Sequence, residues 1–251
     1  MSSDHERHNR AFWDRDADDY QDLHGGTLDA APRAWGAWRI PDDEVTALGD
    51  ARGLDVLELG CGAAQWAIAL AGAGARPVGL DLSGGQLHHA HEAAGAAGVR
   101  VPLVLASGEA VPLRDHSFDV VFCDHGAMSF CEPERSLAEV ARVLRPGGRL
   151  VFCHSTPLLY LTYDPRRQRQ SRTLQSDYFD MRSFVYGDGT ADFQLPYGEW
   201  IRLFRRNGFV IDDLVELRPS KGATTTYTDF VPYRWARRWP AEEIWKLHKE
   251  P

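Results

Sequence analysis

The periodicity of the chain changes at Leu54-Asp55-Val56-Leu57-Glu58-Leu59-Gly60-Cys61-Gly62. A short apolar run that ends in Gly-x-Gly is typical of a buried strand that turns into a helix. Glycines at such a turn let the backbone approach a ligand, and the first amides of the helix then face that ligand. A plain tight turn has the same sequence, so this stretch predicts a strand–turn–helix unit and leaves ligand binding open.

Further apolar runs follow, separated by helical segments. We predict strands at 77–81, 101–106, 118–123 and 149–154, and helices at 63–73, 83–97 and 132–144. Strands that alternate with helices of this length indicate right-handed βαβ units and a parallel sheet. The predictions for the rest of the chain are a helix at 197–206, strands at 209–217 and 224–231, and a helical end at 241–249.

The expected fold class is α/β, with a doubly wound, seven-stranded, mostly parallel sheet, an antiparallel last strand and a capping insertion. We expect one domain over residues 1–251. Within it, 1–50 would form an N-terminal helical lid, 51–154 the core, 155–196 the insertion over the carboxyl edge of the sheet, and 197–251 the remaining strands.

Composition excludes some classes of partner. The chain is 43% hydrophobic and 25% charged, as globular enzymes are, and its formal net charge is −8. A nucleic-acid partner is not expected, because phosphate backbones favour basic surfaces. No run of 18 apolar residues occurs, so no membrane partner is expected either. The scattered cysteines and the polar start of the chain predict reduced thiols and a cytoplasmic location.

Asp81 lies 19 residues after Gly62, at the end of the second predicted strand. An acid at this position can accept hydrogen bonds from both ribose hydroxyls of an adenosine. The alternative is a negative charge at a helix N-terminus. Ser83 fills the capping role better, so we favour ribose binding.

Two residues discriminate between dinucleotide and sulfonium ligands. An NAD-binding turn has Gly or Ala three residues beyond its second glycine, where this chain has Gln65. Glu58, two residues before Gly60, would repel a pyrophosphate but suits a ligand with a cationic amino group. The pattern therefore favours S-adenosylmethionine (SAM) over NAD.

Five motifs in order resemble those of the class I SAM-dependent methyltransferases, and in particular small-molecule methyltransferases similar to type 11. They are Leu57–Gly62, Gly79–Ser83, Ser107–Leu113, Ser117–Val121 and Glu139–Gly148. The resemblance implies a Rossmann-like methyltransferase fold, SAM as methyl donor and S-adenosyl-L-homocysteine as product. It carries little information about the acceptor.

The resemblance also implies the residues that bind the adenosine part of SAM. Asp81 would hold the ribose, Leu82 would pack on the adenine, and Gln86 would lie near the edge of both. Glu109, where the family usually has Asp, would accept from the adenine amino group. The backbone of Ala110 would contact the ring.

The other cofactor residues that the resemblance implies face the methionine part of SAM or cover it. Those that face the methionine part are Glu58, Gly60, Cys61, Gly62, Gln65 and the carbonyl of Cys123. Trp13 and Tyr20 resemble the aromatic residues with which an N-terminal helix closes over SAM. Simple hydrophobic docking of that helix is an equal alternative for these two.

Methyl transfer from a sulfonium is an in-line displacement, so most acceleration can come from proximity and alignment. A general base is needed only when the acceptor must lose a proton. We predict His125 and His154, which follow the fourth and fifth strands, as catalytic, because histidine titrates near neutral pH. A structural, hydrogen-bonded role is the alternative. No metal is expected, since Asp124 and His125 lack a third ligand at useful spacing.

The predicted insertion is rich in aromatic and basic residues. The rings are Tyr160, Tyr163, Tyr178, Phe179, Phe184, Tyr186 and Phe193, and the cations include Arg166, Arg167, Arg169 and Arg172. They favour an aromatic or anionic small-molecule acceptor, unless the rings form the insertion's own core and the arginines a solvated loop. The competing functions are a protein or nucleic-acid methyltransferase, a SAM-binding module without transfer activity, and an NAD-dependent oxidoreductase.

Overall fold

The computed structural model describes residues 3–251. Its helices are α1 (Asp4–Tyr20), α2 (Gly26–Ala30), α3 (Asp42–Val45), α4 (Gln65–Gly72), α5 (Gly84–Ala96), α6 (Ala127–Phe130), α7 (Pro133–Val143), α8 (Pro157–Thr162), α9 (Tyr197–Arg206) and α10 (Tyr233–Ala236). A π-helical turn, Gln21–Gly25, joins α1 to α2. Within the described residues, no helix combines the length and the apolar character that a membrane span requires.

The strands in chain order are β1 (Ala34–Trp35), β2 (Ile40–Pro41), β3 (Asp55–Leu59), β4 (Arg76–Asp81), β5 (Leu103–Leu105), β6 (Phe118–Asp124), β7 (Leu144–Ser155), β8 (Tyr163–Asp164), β9 (Arg169–Gln170), β10 (Ser183–Val185), β11 (Ala191–Phe193), β12 (Phe209–Glu216) and β13 (Glu242–Lys249). Seven of them form one sheet in the order β12-β13-β7-β6-β3-β4-β5. Strands β3 to β7 are parallel, and β13 is antiparallel to both of its neighbours. The predicted α/β fold class, with an antiparallel last strand, is confirmed.

The predicted helix at 197–206 and strand at 209–217 are confirmed as α9 and β12, but the other two C-terminal predictions were wrong. Residues 224–231 contain no helix or strand, and the segment predicted as a terminal helix is strand β13. Ile244, Trp245 and Leu247 fit a helical or an extended period equally well. Hydrogen bonding to β7 on one side and β12 on the other decides for the strand. Such pairing is non-local and cannot be read from a short window.

Both faces of the sheet are covered, as a doubly wound sheet requires. On one face Trp35, Trp66 and Phe122 belong to a single buried cluster, and the rings of the two tryptophans lie 4.7 Å apart. On the other face Phe152 packs with Trp200 of α9. The first cluster anchors residues 33–41, which lie outside the βαβ units, against the sheet.

Asp42 fixes this anchored segment through buried hydrogen bonds. Its carboxylate is 3% exposed. It accepts from the indole Nε1 of Trp35 at 2.8 Å, from the amide of Leu48 at 2.8 Å and from the amide of Gly49 at 3.1 Å. Buried donors that lose their acceptor carry a desolvation cost, so Asp42 holds the segment in one position.

We expect Asp42→Ala to lower the free energy of unfolding by about 3 kcal/mol, because it leaves buried donors without an acceptor. Urea unfolding measures this change. The matched control is Asp43→Ala, at an exposed neighbouring position, which should change stability by less than about 0.5 kcal/mol. Equal effects of the two substitutions would contradict the role of Asp42.

The loops that follow β3 and β6 touch backbone to backbone. A Cβ added at Gly60, where φ is +79°, would lie 2.3 Å from the amide nitrogen of Ala127, and one at Gly126 would lie 2.4 Å from the carbonyl oxygen of Gly60. A Cβ at Gly62 would meet only Gln86 Oε1, at 3.7 Å. Gly60, the first glycine of the motif, is therefore required by the packing of the two loops. This packing also places His125 next to the turn after β3.

Gly126→Ala should separate these loops and lower stability by about 2 kcal/mol, as overpacking does. Thermal unfolding followed by circular dichroism tests this expectation. Gly72→Ala, where an added Cβ meets nothing within 4 Å, is the control and should be neutral or stabilising. A Gly126→Ala variant as stable as this control would show that the loops are not tightly packed.

Candidate active site

A cavity of about 350 Å³ lies at the carboxyl edge of the parallel strands. Its floor comes from the segments after β3, β4 and β6, and its cover comes from α1, residues 36–39, Tyr227 and Phe230. The volume is within the range of small-molecule sites. The position, outside the strand ends where the strand order reverses between β3 and β6, is where α/β sheets bind ligands.

The cavity brings together most of the residues predicted from the motifs. Those that line it are Trp13, Tyr20, Glu58, Gly60, Cys61, Gly62, Gln65, Asp81, Leu82, Gln86, Glu109 and His125. Ala110, Cys123 and His154 are not among the lining residues. Ala110 is exposed and Cys123 is buried, so the structure gives neither a direct contact with a ligand in the cavity.

Asp81 ties the glycine loop to the sheet. Its Oδ2 accepts from the amide of Gly62 at 2.8 Å, and its Oδ1 accepts from the amide of Ser83 at 2.8 Å. Burial raises the pKa of Asp81, and these backbone hydrogen bonds oppose that rise. A carboxylate oxygen accepts more than one hydrogen bond, so Asp81 still offers acceptor capacity toward the cavity.

Glu58 is a buried acid with an open acceptor. Its side chain is 5% exposed, and Oε2 accepts from the amide of Ala67 in the first turn of α4 at 2.9 Å. No hydrogen-bond partner of Oε1 is found within residues 3–251. Burial raises the pKa of Glu58 well above its ordinary value, and the charges of Asp124 and Asp81 raise it further. Such a group favours a cationic partner, which restores the charged form.

Glu109 does not keep the role that the motif implied. Its Oε1 is 2.6 Å from His5 Nε2 and accepts from the amide of Glu132 at 2.8 Å. Its Oε2 is sealed from solvent and has no hydrogen-bond partner in good geometry, although Arg135 Nη1 lies 2.8 Å away. Glu109 thus joins α1 to the start of α7, and neither oxygen is open to an adenine.

His125 projects into the cavity from a left-handed backbone position with φ of +53°. Its Nε2 lies 2.7 Å from Glu242 Oε1, and 29% of its side chain is exposed. Desolvation lowers the pKa of His125, but the hydrogen bond to Glu242 and the charges of Glu242, Asp124 and Asp192 outweigh it, so the net pKa is raised. Strained backbone of this kind is concentrated at functional sites.

Asp124 is paired with a cation of the chain itself. Arg39 Nη1 lies 3.3 Å from Asp124 Oδ2, and the amide of Gly36 donates to Oδ1 at 2.9 Å. Ligand atoms of Asp124, His125 and Cys153 come within 4.8 Å of one another. Cys153 is thus a third potential ligand that the spacing did not predict, although Arg39 and Glu242 already engage the first two.

His154 was predicted as catalytic, and the structure places it elsewhere. It is 1% exposed, lies 3.2 Å from Glu243 Oε1, and packs against the rings of Phe152 and Trp200 on the α9 side of the sheet. Successive side chains of a strand point to opposite faces, which takes His154 away from the cavity. The structural alternative holds for this histidine.

The expected capping role of residues 155–196 is also not found. Within the part of the chain that the structure describes, no residue of that segment lines the cavity. Tyr160 and Phe184 stack on each other at 4.2 Å, and Tyr160 and Tyr186 both donate to Asp192. Arg167 pairs with Asp164. The rings form the insertion's own packing, and the arginine stretch does not reach the site.

Besides Trp13 and Tyr20, the cover contains residues that no motif predicted. Tyr227 donates or accepts a 2.6 Å hydrogen bond with Tyr20 and stacks on His24 at 4.0 Å. Gln21 donates to Gln86 Oε1 at 2.8 Å. A single residue in an irregular segment gives no sequence signal of its own. The sequence therefore could not predict that Arg39, Tyr227 and Phe230 line the site.

Comparison with known proteins finds similarity over part of the chain. The model of a family described as "Methyltransferase domain" matches residues 57–152. A demethylmenaquinone methyltransferase from Clavibacter sepedonicus is 37% identical over 121 residues, which are 48% of this chain and 48% of that protein. The similarity thus spans about half the length of this curated relative.

Solved structures share the fold over most of the chain. An S-adenosylmethionine-dependent methyltransferase from Mesorhizobium loti has a TM-score of 0.65 at 23% identity, covering 82% of this chain and 95% of that one. The 1,6-didemethyltoxoflavin-N1-methyltransferase of Burkholderia thailandensis, solved with S-adenosylhomocysteine, has a TM-score of 0.62 at 19% identity, covering 100% and 92%. With the sheet order, these likenesses show that the chain has the doubly wound α/β fold of these proteins.

Proposed function

We propose that this chain transfers a methyl group from SAM to a small-molecule acceptor inside the cavity. The observation that carries the proposal is that Glu58, Asp81 and His125 line one cavity. An acid for a cationic amino group, an acid for a ribose and a candidate base are therefore within reach of one bound pair of substrates.

The similar proteins support a small acceptor. The curated relative is named for a demethylmenaquinone, and one structural neighbour was solved with 1,6-didemethyltoxoflavin and S-adenosylhomocysteine. The formal net charge of −8 also disfavours a nucleic-acid acceptor. The atom that receives the methyl group is left open among O, N, S and C.

SAM, when bound, supplies an activated methyl group on a sulfonium, with S-adenosyl-L-homocysteine as product. In our proposal Asp81 accepts from the ribose hydroxyls, and Glu58 accepts from the amino group through Oε1. The backbone of Gly60, Cys61 and Gly62 follows the methionine part. The side chains of Gln65, Leu82 and Gln86 line the same end.

The cover would exclude water and align the acceptor, which supplies most of the acceleration in an in-line transfer. Trp13 lies edge-on to Tyr20 at 5.6 Å and to Phe130 at 5.4 Å, and all three line the cavity. We propose that residues 1–50 act as the lid over the core at 51–154. The aromatic lining favours an aromatic acceptor.

Release of S-adenosylhomocysteine across a panel of aromatic hydroxyl compounds, quinols and nitrogen heterocycles tests the function. We expect turnover with at least one planar member of the panel and none with oligonucleotides or protein extracts. SAM binding without turnover on any acceptor would favour the alternative of a binding module. Failure to bind SAM at all would contradict the proposal.

Glu58→Gln should weaken SAM binding about tenfold or more, because a charge-assisted contact is lost. In the wild type, only the ionised form of Glu58 attracts the cation, and burial raises the pKa of this acid. Affinity should therefore increase as pH rises through the pKa of Glu58, and binding should release a proton. Titration calorimetry in buffers of different ionisation enthalpy measures both effects.

The variant separates this proton from any that the ligand itself exchanges, since the ligand's contribution persists in Glu58→Gln. Asp55→Asn is the matched control at the opposite end of the same strand, where Arg76 holds the pKa of the acid below its ordinary value. It should leave affinity and its pH dependence unchanged. Equal proton release by wild type and Glu58→Gln would contradict the assignment of Glu58.

A further inference from the structure

Glu242 lies directly behind the candidate base and has no part in the motifs. It is the first residue of β13 and its side chain is 1% exposed. Its Oε1 accepts from the amide of Ala37 at 2.6 Å and lies 2.7 Å from Nε2 of His125. Glu242 itself does not line the cavity. It therefore reaches the cavity only through His125.

The glycine at position 36 leaves space for the carboxylate of Glu242. Gly36 has φ of +68°, and a Cβ at that position would lie 2.4 Å from Glu242 Oε1. Any other residue there would push the carboxylate off His125. The neighbouring amides of Gly36 and Ala37 then donate to Asp124 and Glu242, so the cover segment closes on both acids.

The other nitrogen of His125 is open. Within residues 3–251, Nδ1 has no hydrogen-bond partner, and it is not among the buried unsatisfied atoms, so it is accessible. An ionised carboxylate can only accept hydrogen bonds, so the nitrogen that faces Glu242 must carry a proton. The hydrogen of the neutral imidazole is therefore assigned to Nε2. Nδ1 is then a proton acceptor on the cavity side.

A second histidine–glutamate pair provides an internal comparison. His154 and the next residue, Glu243, form a pair of the same type at 3.2 Å, but both are buried away from the cavity. Tyr197 also donates to Glu243. The glutamates of these two pairs are neighbours on β13, and of the two histidines His125 lines the cavity whereas His154 does not.

Resting on the proposed function, we propose that Glu242 is a positioning residue which holds His125 by Nε2, so that Nδ1 removes a proton from an uncharged O–H or N–H acceptor. The methyl–sulfur bond breaks as the bond from the methyl carbon to the acceptor oxygen or nitrogen forms. The acceptor proton goes to Nδ1 and later to water.

The charges balance in this step. One positive charge, initially on the sulfonium, ends on the imidazolium, where Glu242 compensates it. Arg39 and Asp124 already neutralise each other beside this site. The other charged group that acts on His125 is Asp192 of β11, which accepts from Tyr160 and Tyr186. A neutral acceptor therefore leaves no uncompensated charge, whereas an anionic one would face the acids.

The direct test is a titration of His125 by NMR with labelled histidine, which does not depend on turnover. Glu242→Gln should lower the pKa of His125 by about one unit, because a neighbouring negative charge is removed. Glu243→Gln is the matched control and should leave the pKa of His125 unchanged. An unchanged pKa in Glu242→Gln, or an equal fall in both variants, would overturn the proposal.

The kinetic test uses the acceptor found by the panel. Only neutral His125 removes a proton, so activity falls as pH falls through its pKa. Glu242→Gln should reduce kcat about tenfold to a hundredfold and shift the acid limb to lower pH, with KM for SAM unchanged. Glu242→Asp keeps the charge and should restore the acid limb toward the wild-type position. A lower kcat with an unshifted limb would overturn the base role.

Calorimetry with SAM separates this proposal from the function itself. Glu242→Gln should bind SAM as the wild type does, since Glu58 and Asp81 remain in place. If neither the wild type nor Glu242→Gln binds SAM, the proposed function fails, whatever the pKa of His125 is. If SAM binds normally and the pKa of His125 does not respond to Glu242, only the positioning role fails.

Discussion

Carboxylates taken out of water around one cavity, each accepting a backbone amide hydrogen, determine how this site is built. Glu58 accepts from Ala67, Asp81 from Gly62, Asp124 from Gly36 and Glu242 from Ala37. A buried carboxylate is costly unless it is hydrogen-bonded, so each acid must keep its loop in place. Of the four acids, Glu58 and Asp81 line the cavity with acceptor capacity left. The acids therefore position the walls of the site, and in our proposal these two also bind the ligand.

The sheet could be predicted from the sequence because local patterns decide it. Short apolar runs with helices of regular length between them predict β3 to β7. The terminal strand β13 could not be predicted, because Ile244, Trp245 and Leu247 suit either period and only pairing on both edges selects the extended form. The capping role of the insertion also failed, because ring content does not tell whether rings face a ligand or one another.

The floor of the site was predictable, whereas only Trp13 and Tyr20 of its cover were. Asp81, Glu58 and the glycine loop belong to segments where strand ends and turns leave a recognisable order of residues. Arg39, Tyr227, Phe230 and Glu242 are brought to the cavity by tertiary packing of irregular segments and of the last strand. His125 and His154 illustrate the difference, since the same residue type after neighbouring strands lies inside the cavity in one case and under α9 in the other.

The central claim is that Glu58 and Asp81 hold one sulfonium nucleoside between them. A crystal structure of the chain with S-adenosylhomocysteine measures this directly. The account predicts both ribose hydroxyls on the Asp81 carboxylate and the amino group within hydrogen-bond distance of Glu58 Oε1. A ligand bound outside this cavity, or bound inside it with its amino group turned away from Glu58, would contradict the account.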